Sequence, residues 1–347
     1  MKNFYSSKNI FITGAAGTIG RELIKELAEF NPKKIIAIDN NETEVFFLAE
    51  KYKSNPAVHC FICDIRDKNK LKFLMKDCDM VFHGAALKHV ILGEYNPFDI
   101  VQTNLMGLQN IIEISIESGV KKVLFMSSDK AVNPTNAMGA SKLMGEKLIA
   151  ASNNLQDFDG PIFCSTRFGN VLGSRGSVVP VFLNQLREGR DLTVTDESMT
   201  RFVMKKGDAV KLILKSLMIS KGGESFILKM DSVKITDLAY AMLEDISCIF
   251  GNVKPGIKFI GAKPGEKLFE ELLSEEETQR TIELEDLFVV LPAFKSIYFN
   301  RDYKYDGVVA EKINTRVTSN MVDLLSKRQI KDKYVKYIKE NMNEFLS

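Results

Sequence analysis

Short apolar runs alternate with longer segments of helical period through the first half of the chain. The runs are rich in Val, Ile, Leu and Phe, and they read NIFITG, KKIIAIDN, AVHCFICD, DMVFHGAA and KKVLFMSS. Strands that are apolar on both faces and are separated by helices indicate a parallel sheet covered on both sides. The pattern therefore predicts a doubly wound α/β domain.

The first of these strands leads into a glycine-rich turn. FITGAAGTIGREL places Gly14, Gly17 and Gly20 where the strand ends and a helix begins, at Thr18 and Ile19. Backbone N–H groups and the positive end of a helix dipole suit a pyrophosphate at such a turn, as in Rossmann domains. The spacing departs from G-x-G-x-x-G, so a tight turn without a ligand is the competing interpretation.

Aspartates follow the second and third strands. Asp39 lies about twenty residues beyond the glycines, where a carboxylate bonds the adenosine ribose hydroxyls. It would repel a 2′-phosphate, and Asn40, Asn41 and Glu42 supply no cation, so NAD is favoured over NADP. Asp64 is placed to meet the adenine edge. A surface turn for Asp39 and a loop cap for Asp64 are the alternatives.

The pattern loosens beyond residue 161. PIFCSTRFGNVLG indicates another buried strand, KKGDAVKLILKSLMIS has apolar helical spacing, and KITDLAYAMLEDIS and KPGEKLFEELLSEEE also predict helix. We predict an NAD-binding Rossmann domain over 1–172, to which 203–228 return. A smaller substrate-binding region, formed by 173–202 and 229–347 with its C-terminal helices, would cap the carboxyl edge of the sheet. Residues 281–347 suggest no function.

Composition narrows the partners. The 347 residues carry 47 basic and 45 acidic side chains, a net charge of +2, which favours neither nucleic acid nor a membrane surface as partner. No stretch approaches the roughly 18 apolar residues of a membrane helix, and no leader is evident. We expect a cytoplasmic protein that binds a small molecule.

Cysteine and histidine spacing indicates no metal site. Cys60 and Cys63 have C-x-x-C spacing, but they lie on a predicted strand and no second pair completes a zinc site. Two reduced cysteines are the simpler interpretation. The three histidines, His59, His83 and His89, show no paired spacing, and His83 is predicted to be a core residue.

The stretch SSDKAVNPTNAMGASK carries the candidate chemistry. Ser127 and Ser128 end a strand, and Met138 and Lys142, four residues apart, share one face of the following helix. Short-chain dehydrogenases carry a serine, a tyrosine and a lysine in this arrangement, and the lysine lowers the pKa of the tyrosine. Here the serine and the lysine are present, and Met138 takes the place of the tyrosine.

The sequence resembles the extended short-chain dehydrogenases, and within them the UDP-N-acetylglucosamine 4,6-dehydratases of bacterial polysaccharide and flagellin-sugar synthesis. The matching features run from about residue 8 to about residue 280: FHGAALKHV, SSDKAVNPTNAMGASK, TRFGNVLGSRGSVVPVF, VTDESMTRF and KPGEKLFEELLS. Several members of that family carry Met in place of Tyr. The resemblance implies an NAD-dependent lyase that oxidises C4, eliminates water across C5 and C6, and returns the hydride to C6.

The resemblance also implies catalytic roles. Asp129 would protonate the departing C6 hydroxyl, and Lys130 would be the base at C5 and accept the C4 hydroxyl proton. Lys130 must then be neutral, which requires desolvation and Lys142 nearby to lower its pKa by several units. Ser128 and Lys142 complete the site, and Met138 would shape the pocket without proton transfer. The alternative interpretation of Asp129 and Lys130 is a surface ion pair. The alternative interpretation of Met138 is plain helix packing.

Further residues are implied for the two ligands. Asn170, Arg175 and the amides around Ser177 and Val178 would hold the diphosphate, and Arg201 would supply a second positive charge.

The same resemblance places Lys88 and Glu266 near the sugar nucleotide, and Ala85 near the cofactor. A charged loop residue is the competing interpretation for Glu266.

Two alternative functions remain open. One is a nucleotide-sugar epimerase or C4 oxidoreductase, although such enzymes normally keep the tyrosine and do not need an Asp-Lys pair. The other is an inactive NAD-binding sensor or scaffold. Longer relatives have an amino-terminal membrane region, so we expect a free enzyme here, assembled as a homodimer or hexamer. Stereochemistry at C5, the sugar and the base stay open.

Overall fold

The computed structural model describes residues 1–155, 160–251, 255–262, 264–294 and 301–346. Two compact units share the chain. The first consists of Met1–Phe168, Gly207–Lys229 and Glu275–Thr315, and the second of Gly169–Lys206, Met230–Ser274 and Arg316–Ser347.

The strands and helices follow in chain order. The strands are β1 Asn9–Thr13, β2 Lys34–Asp39, β3 Val58–Ile62, β4 Met80–His83, β5 Lys122–Met126, β6 Ile162–Arg167, β7 Asn170–Val171, β8 Leu192–Val194, β9 Thr200–Met204, β10 Ser225–Leu228, β11 Asp231–Lys234, β12 Ile257–Phe259, β13 Thr281–Leu284, β14 Leu287–Val290 and β15 Val308–Ala310. The helices are α1 Lys2–Tyr5, α2 Thr18–Ala28, α3 Glu42–Tyr52, α4 Lys68–Leu74, α5 Val90–Tyr95, α6 Pro97–Ile100, α7 Gly107–Glu117, α8 Ala137–Ser152, α9 Val178–Arg187, α10 Lys206–Ile219, α11 Ile235–Ile246, α12 Glu275–Thr278, α13 Lys327–Ile330, α14 Lys336–Glu340 and α15 Met342–Leu346. Tighter or wider turns are the 3₁₀ turns Asp129–Ala131 and Ser247–Phe250 and the π turns Val101–Met106 and Lys331–Val335.

The first unit is built on one large sheet. Its strand order is β15-β13-β14-β10-β6-β5-β4-β1-β2-β3, and the strands from β3 to β10 run parallel. The predicted doubly wound parallel sheet is therefore confirmed. The chain winds outward from β1 in both directions, through β2 on one side and β4 on the other. Ligands of such sheets bind outside the carboxyl ends of the strands at this switch point.

The continuous apolar runs follow from burial of both faces of this sheet. In β1, Ile10 and Ile12 pack in one hydrophobic cluster and Phe11 packs in another. In β5, Leu124 belongs to the first cluster and Val123 to the second. Since successive side chains of a strand point to opposite faces, each face needs its own apolar residues. No polar alternation is left to mark the strand in the sequence.

The boundary of the first unit differs from the predicted one. Residues 275–315 were placed in the substrate-binding region, but β14 pairs antiparallel with β10, and β13 and β15 extend the same sheet. The sequence shows no helix between these short strands, because antiparallel neighbours need only a turn.

The helix predicted over KPGEKLFEELLSEEE is wrong for most of its length. Only α12 is helical, and residue 263 lies outside the described residues. Glu270 and Leu272 instead exchange backbone hydrogen bonds with Ser319 and Val317. Leu272 and Leu273 are buried although this part of the segment is not helical, whereas Leu268 is 46% exposed, so tertiary contacts override the local pattern.

The second unit has its own core. A three-stranded sheet, β11-β9-β7, and a two-stranded sheet, β12-β8, pack with α9, α11 and the C-terminal helices around Phe182, Val203, Leu238 and Val335. At the C-terminus, α14 ends before Asn341 and α15 begins after it. Within the described ranges, no helix is long and apolar enough to span a membrane.

Candidate active site

The glycine turn after β1 packs too closely for other residues. Gly14 has a φ of 67°, and a Cβ there would lie 2.7 Å from the amide nitrogen of Ala85. A Cβ on Gly20 would lie 2.3 Å from the carbonyl oxygen of Gly14. Helix α2 begins at Thr18, and its N-cap, Gly17, offers no side-chain cap. The N–H groups of the first turn are therefore available to an anion.

Asp39 is held beside this turn. Its Oδ2 accepts a hydrogen bond from the amide of Ala16 at 3.1 Å, and its Oδ1 accepts one from the amide of Asn41 at 3.1 Å. Arg21, on the first turns of α2, donates to the Ala16 carbonyl at 2.9 Å and pairs with Glu44 at 2.6 Å. The carboxylate thus sits at the glycine turn, and the Arg21 guanidinium is engaged by its own partners.

Asp64 behaves as a loop cap. Its carboxylate accepts hydrogen bonds from the backbone and the guanidinium of Arg66, with distances of 2.6 to 3.0 Å. The Arg66 side-chain hydrogen bonds lower the pKa of Asp64. Of the two interpretations of Asp64, its contacts favour the loop cap over the adenine contact.

Thr13 and His83 fix the loop that follows β4. The Thr13 hydroxyl oxygen accepts from the amides of Gly84 and Ala85 at 3.2 and 3.1 Å and lies 2.7 Å from His83 Nδ1. Burial, with a smaller effect of Lys142, lowers the pKa of His83 to about 3, so the ring is neutral. With both lone pairs occupied, the hydroxyl donates to Nδ1. His83 is buried, as predicted, and its Nε2 has no hydrogen-bond partner among the described residues.

Asp129 and Lys130 form the 3₁₀ turn just beyond β5. Asp129 is fully buried, at 0% exposure, and its Oδ1 accepts from the Ser128 hydroxyl at 2.8 Å and from Lys130 Nζ at 3.0 Å. Its Oδ2 is buried and has no hydrogen-bond partner within the described part of the chain. A buried acceptor without a donor is uncommon and is one mark of a functional carboxylate.

Helix α8 starts next to this turn and is capped twice. The Asn136 side chain accepts from the amide of Gly139 at 2.8 Å, and Glu94 accepts from the amide of Ala137 at 2.6 Å. A Cβ on Gly139 would lie 2.4 Å from the Lys130 carbonyl oxygen. Glycine therefore permits the close approach of α8 to the Asp129–Lys130 turn.

Met138 and Lys142 are both buried on α8. Lys142 Nζ donates to the Met126 carbonyl at 2.8 Å and lies 4.8 Å from the centre of the Phe125 ring. Burial lowers the pKa of Lys142 to about 8, and the Glu146 carboxylate opposes this shift. Lys142 is thus a donor fixed at the end of β5.

Asn104 was not found by sequence reasoning. It lies in the π turn before α7, and its amide nitrogen donates to Ser141 Oγ at 2.9 Å and to the Leu87 carbonyl at 3.0 Å. Its Oδ1 accepts from the amide of Leu87 at 2.8 Å. Asn104 therefore ties the exposed loop of Lys88 to α8. A polar residue that is buried in a largely apolar helical segment was the available signal.

Four of the predicted diphosphate residues lie at β7 and the start of α9. Asn170 is in β7, and Arg175 precedes the N-cap of α9, Ser177. The Ser177 hydroxyl oxygen is buried without a hydrogen-bond partner among the described residues and does not cap the helix. The first turn, from Val178, thus keeps open N–H groups that suit an anion.

Arg201 differs from the expectation that it supplies a second positive charge to the diphosphate. It is buried, and its guanidinium donates to the carbonyls of Thr200 and Lys267, each at 2.8 Å. Carboxylates of Glu266 and Glu270 lie 3.8 and 3.7 Å away. The guanidinium therefore supports the loop that carries Glu266, because a phosphate would have to compete with these acceptors.

The family is decided by comparison with known proteins. The family model described as polysaccharide biosynthesis protein matches residues 10–292. The chain belongs to this family.

Individual relatives cover nearly the same span. An uncharacterized membrane protein of Methanocaldococcus jannaschii is 47% identical over 88% of this chain and 94% of its own. A UDP-N-acetylglucosamine 4,6-dehydratase (inverting) of Campylobacter jejuni is 41% identical over 88% and 89%. A UDP-glucose 4-epimerase of Rickettsia bellii is 39% identical over 81% and 82%. The crystal structure of Pen from Bacillus thuringiensis is 37% identical, covers 96% and 98%, and has a TM-score of 0.89.

In this family member, the sites of the first unit converge. Gly14, Ala85 and Asp129 follow β1, β4 and β5, and Asp39 is the last residue of β2. These four strands are neighbours in the sheet, so all four residues lie at its carboxyl edge. In the second unit, Arg201 and Glu266 lie together.

Cysteines and metal ligands add nothing to this site. All five cysteines are free, and Cys63 directly follows β3, which contains Cys60. We find no cluster of His, Cys, Asp and Glu suited to a metal ion in the ranges that the structure describes.

Proposed function

We propose that the chain is an NAD-dependent 4,6-dehydratase that acts on UDP-N-acetylglucosamine. The observation that carries this proposal is the Asp129–Lys130 pair at the carboxyl end of β5, a buried carboxylate whose Oδ2 has no hydrogen-bond partner among the described residues. A plain dehydrogenase has no use for such a pair, whereas elimination of water needs a base and an acid on adjacent carbons. The Campylobacter jejuni relative carries this activity in its name.

The residues of the glycine turn fit a dinucleotide. The uncapped first turn of α2 suits the pyrophosphate, and Asp39 suits the ribose hydroxyls. NAD is favoured over NADP because the Asp39 carboxylate repels a 2′-phosphate and Arg21 is paired with Glu44. Bound NAD supplies reversible hydride chemistry to C4 and C6 of the sugar.

Asp129 and Lys130 pass one proton through the cycle. When C4 is oxidised, neutral Lys130 would take the C4 hydroxyl proton and pass it along the 3.0 Å contact to Asp129. Lys130 is then neutral again and takes the C5 proton, while the Asp129 carboxylic acid protonates the C6 hydroxyl, which leaves as water. When C6 is reduced, Lys130 returns its proton to C5. The C4 hydroxyl proton thus leaves in the water, and the pair ends as the neutral amine and carboxylate with which it began.

Neighbouring residues orient this pair. The Ser128 hydroxyl donates to Asp129 Oδ1 and fixes the carboxylate. Lys142, held by the Met126 carbonyl, would donate to the nicotinamide ribose when NAD is bound. Met138 provides an apolar wall and transfers no proton, because its thioether is neither an acid nor a base.

The diphosphate of the sugar nucleotide is assigned to the second unit. The open first turn of α9 supplies N–H groups from Val178 onward, and Asn170 and Arg175 lie just before it. The amide of Ser177 already donates to the Ser174 carbonyl at 3.0 Å, so the diphosphate is assigned to the N–H groups that follow Ser177. The Arg201 guanidinium donates to the carbonyls of Thr200 and Lys267 and lies beside Glu266, so we assign it to support of this loop.

A 4-epimerase is the second candidate, because the Rickettsia bellii relative bears that name. Met138 argues against it, since an epimerase of this fold normally uses a tyrosine to move the C4 proton.

Product mass separates the candidates. Purified protein is incubated with UDP-N-acetylglucosamine and catalytic NAD, and the products are analysed by mass spectrometry. A dehydratase gives a product lighter by one water, and an epimerase gives a product of unchanged mass with C4 inverted. Bound sugar nucleotide without turnover would refute both and indicate a binding protein.

A further inference from the structure

Arg167 lies at the centre of a buried ion cluster that the proposed reaction does not use. Its side chain is 1% exposed. Nε and Nη2 donate to the two carboxylate oxygens of Glu146 at 3.1 and 2.6 Å. Nη1 and Nη2 donate to the two oxygens of Glu277 at 3.0 and 2.9 Å. The Arg167 guanidinium thus donates two hydrogen bonds to each of two buried carboxylates.

The cluster joins the two elements that carry the proposed chemistry. Arg167 is the last residue of β6, and the carbonyls on either side of it, of Thr166 and Phe168, accept from the amides of Ser127 and Asp129 at 2.7 and 3.1 Å. The backbone at Arg167 therefore holds the Asp129 turn in place.

The side chain of Arg167 reaches the other element. Glu146 lies on α8 one turn beyond Lys142, so the two share a face of the helix. Glu277 lies on α12, which begins directly after the segment that carries Glu266 and Glu270.

Stability alone does not account for this arrangement. Buried ion pairs contribute little net stability, because desolvation offsets most of the attraction. The two carboxylates, each held by two hydrogen bonds, contribute a fixed geometry. A planar guanidinium sets both the distance and the orientation of each carboxylate. The charges also balance: with Lys142, the buried set contains two cations and two carboxylates.

We propose that Arg167 is a positioning residue, which through Glu146 and Glu277 holds α8, and with it Lys142, in register with the turn that carries Asp129. The cluster sets the position of Lys142 and the charge that it faces. This inference rests on the proposed function for the roles of Lys142 and Asp129.

The groups that face Lys142 define the electrostatic part of the test. They are the neutral ring of His83 on β4, the Met126 carbonyl and the Phe125 ring on β5, and the Glu146 carboxylate on its own helix. Glu146 is the anion among these groups. Arg167 partly balances the Glu146 charge, but Arg167 also pairs with the Glu277 carboxylate. Removing the Glu277 charge lowers the total negative charge around Arg167 and Glu146, so Lys142 faces less negative charge.

The chain offers a matched pair of variants. Glu277→Gln keeps the shape and removes the buried charge, whereas Glu276→Gln makes the same change one residue earlier, where the side chain is 67% exposed and pairs with Arg280. We expect Glu277→Gln to lower kcat by about tenfold with KM within about twofold, because the reacting groups are misplaced and substrate binding is not. Glu276→Gln should match the wild type. Equal kcat in folded Glu277→Gln and wild type would overturn the proposal.

A second readout is independent of turnover. Lysines are labelled with ¹³C at the ε carbon, the Lys142 signal is assigned by its loss in Lys142→Arg, and its shift is followed against pH by NMR. We expect the Lys142 titration to move to lower pH in Glu277→Gln and to stay unchanged in Glu276→Gln. An unchanged titration in Glu277→Gln would contradict the proposal. The NMR result stands even if UDP-N-acetylglucosamine is not turned over, in which case only the proposed function fails.

Arg167→Lys keeps the proposal testable if Glu277→Gln does not fold. Lysine retains the charge and loses the fork, so we expect a folded protein with reduced kcat, and a wild-type kcat would overturn the proposal.

Discussion

Replacing Lys142 by methionine should stabilise the protein while abolishing turnover. Lys142 is nearly fully buried, and burial lowers its pKa to about 8 from an ordinary 10.5. The folded state therefore binds the Lys142 proton less tightly than the unfolded state, which is a cost to folding at neutral pH. Methionine has a similar length and carries no charge, so the cost disappears together with the donor.

The magnitude follows from the difference between the two pKa values. At about 1.4 kcal/mol per pKa unit, burial of charged Lys142 costs about 3 kcal/mol below pH 8. Loss of the hydrogen bond to the Met126 carbonyl returns about 1 kcal/mol, so Lys142→Met should gain about 2 kcal/mol at pH 7. Because the unfolded state binds more protons between pH 8 and 10.5, wild-type stability rises with pH in this window. The advantage of the variant should vanish by about pH 10.5.

Urea unfolding of nucleotide-free protein measures this directly, at pH 7 and at several points up to pH 10.5. Titration of other groups affects both proteins equally and cancels in the difference between their free energies of unfolding. A variant that is less stable at pH 7, or a difference that does not change with pH, would refute the reasoning. Lys142→Arg keeps its charge across this window, so it should lose stability relative to the wild type between pH 8 and 10.5.

Three further changes test the site. Asp129→Asn should keep the fold and lower kcat by at least about 100-fold, because the amide cannot protonate the C6 hydroxyl, and steady-state kinetics with an unfolding curve checks both. Met138→Tyr should gain little activity or lose some, whereas a gain in oxidation of the sugar nucleotide would point to a decayed dehydrogenase. Gly20→Ala should weaken NAD retention by at least about tenfold, since its Cβ would lie 2.3 Å from the Gly14 carbonyl oxygen, and Gly207→Ala, whose Cβ meets nothing within 4 Å, should leave it unchanged. Nucleotide content after purification gives that comparison.

The parallel half of the fold could be predicted because each strand signals itself. Strands such as β1 and β5 are buried on both faces and must be apolar throughout, and the glycine turn is dictated by backbone contacts that a Cβ would break. The late strands β13 to β15 are short and antiparallel, and their place at the sheet edge depends on β10, far away in sequence. The local hydrophobic pattern of these strands does not indicate that β10 is the strand they join.

The candidate site divides in the same way. Asp39 and the Asp129–Lys130 pair lie in local sequence motifs, so they can be recognised from the sequence alone. Arg167 and Asn104 do not, since their importance comes from partners brought close by the fold. An arginine inside an apolar strand was a signal that a buried counter-charge must exist, but the sequence could not tell which carboxylates supply it.

Arg201 shows a different limit. Its residue type and motif suggested a second positive charge for the diphosphate, but the guanidinium donates hydrogen bonds to the carbonyls of Thr200 and Lys267. Residue type predicts which groups a side chain can bind, and the packing of the folded chain determines which of them it binds.

Turnover in deuterated water tests the central claim most directly. The protein is incubated with UDP-N-acetylglucosamine and catalytic NAD in D₂O, and the product is analysed by NMR. The proposed roles of Lys130 and Asp129 predict a 4-keto-6-deoxy sugar with deuterium at C5 and no net NADH, and the C5 coupling constants give its configuration. A product without deuterium at C5, or one that keeps its C6 hydroxyl, would contradict the account.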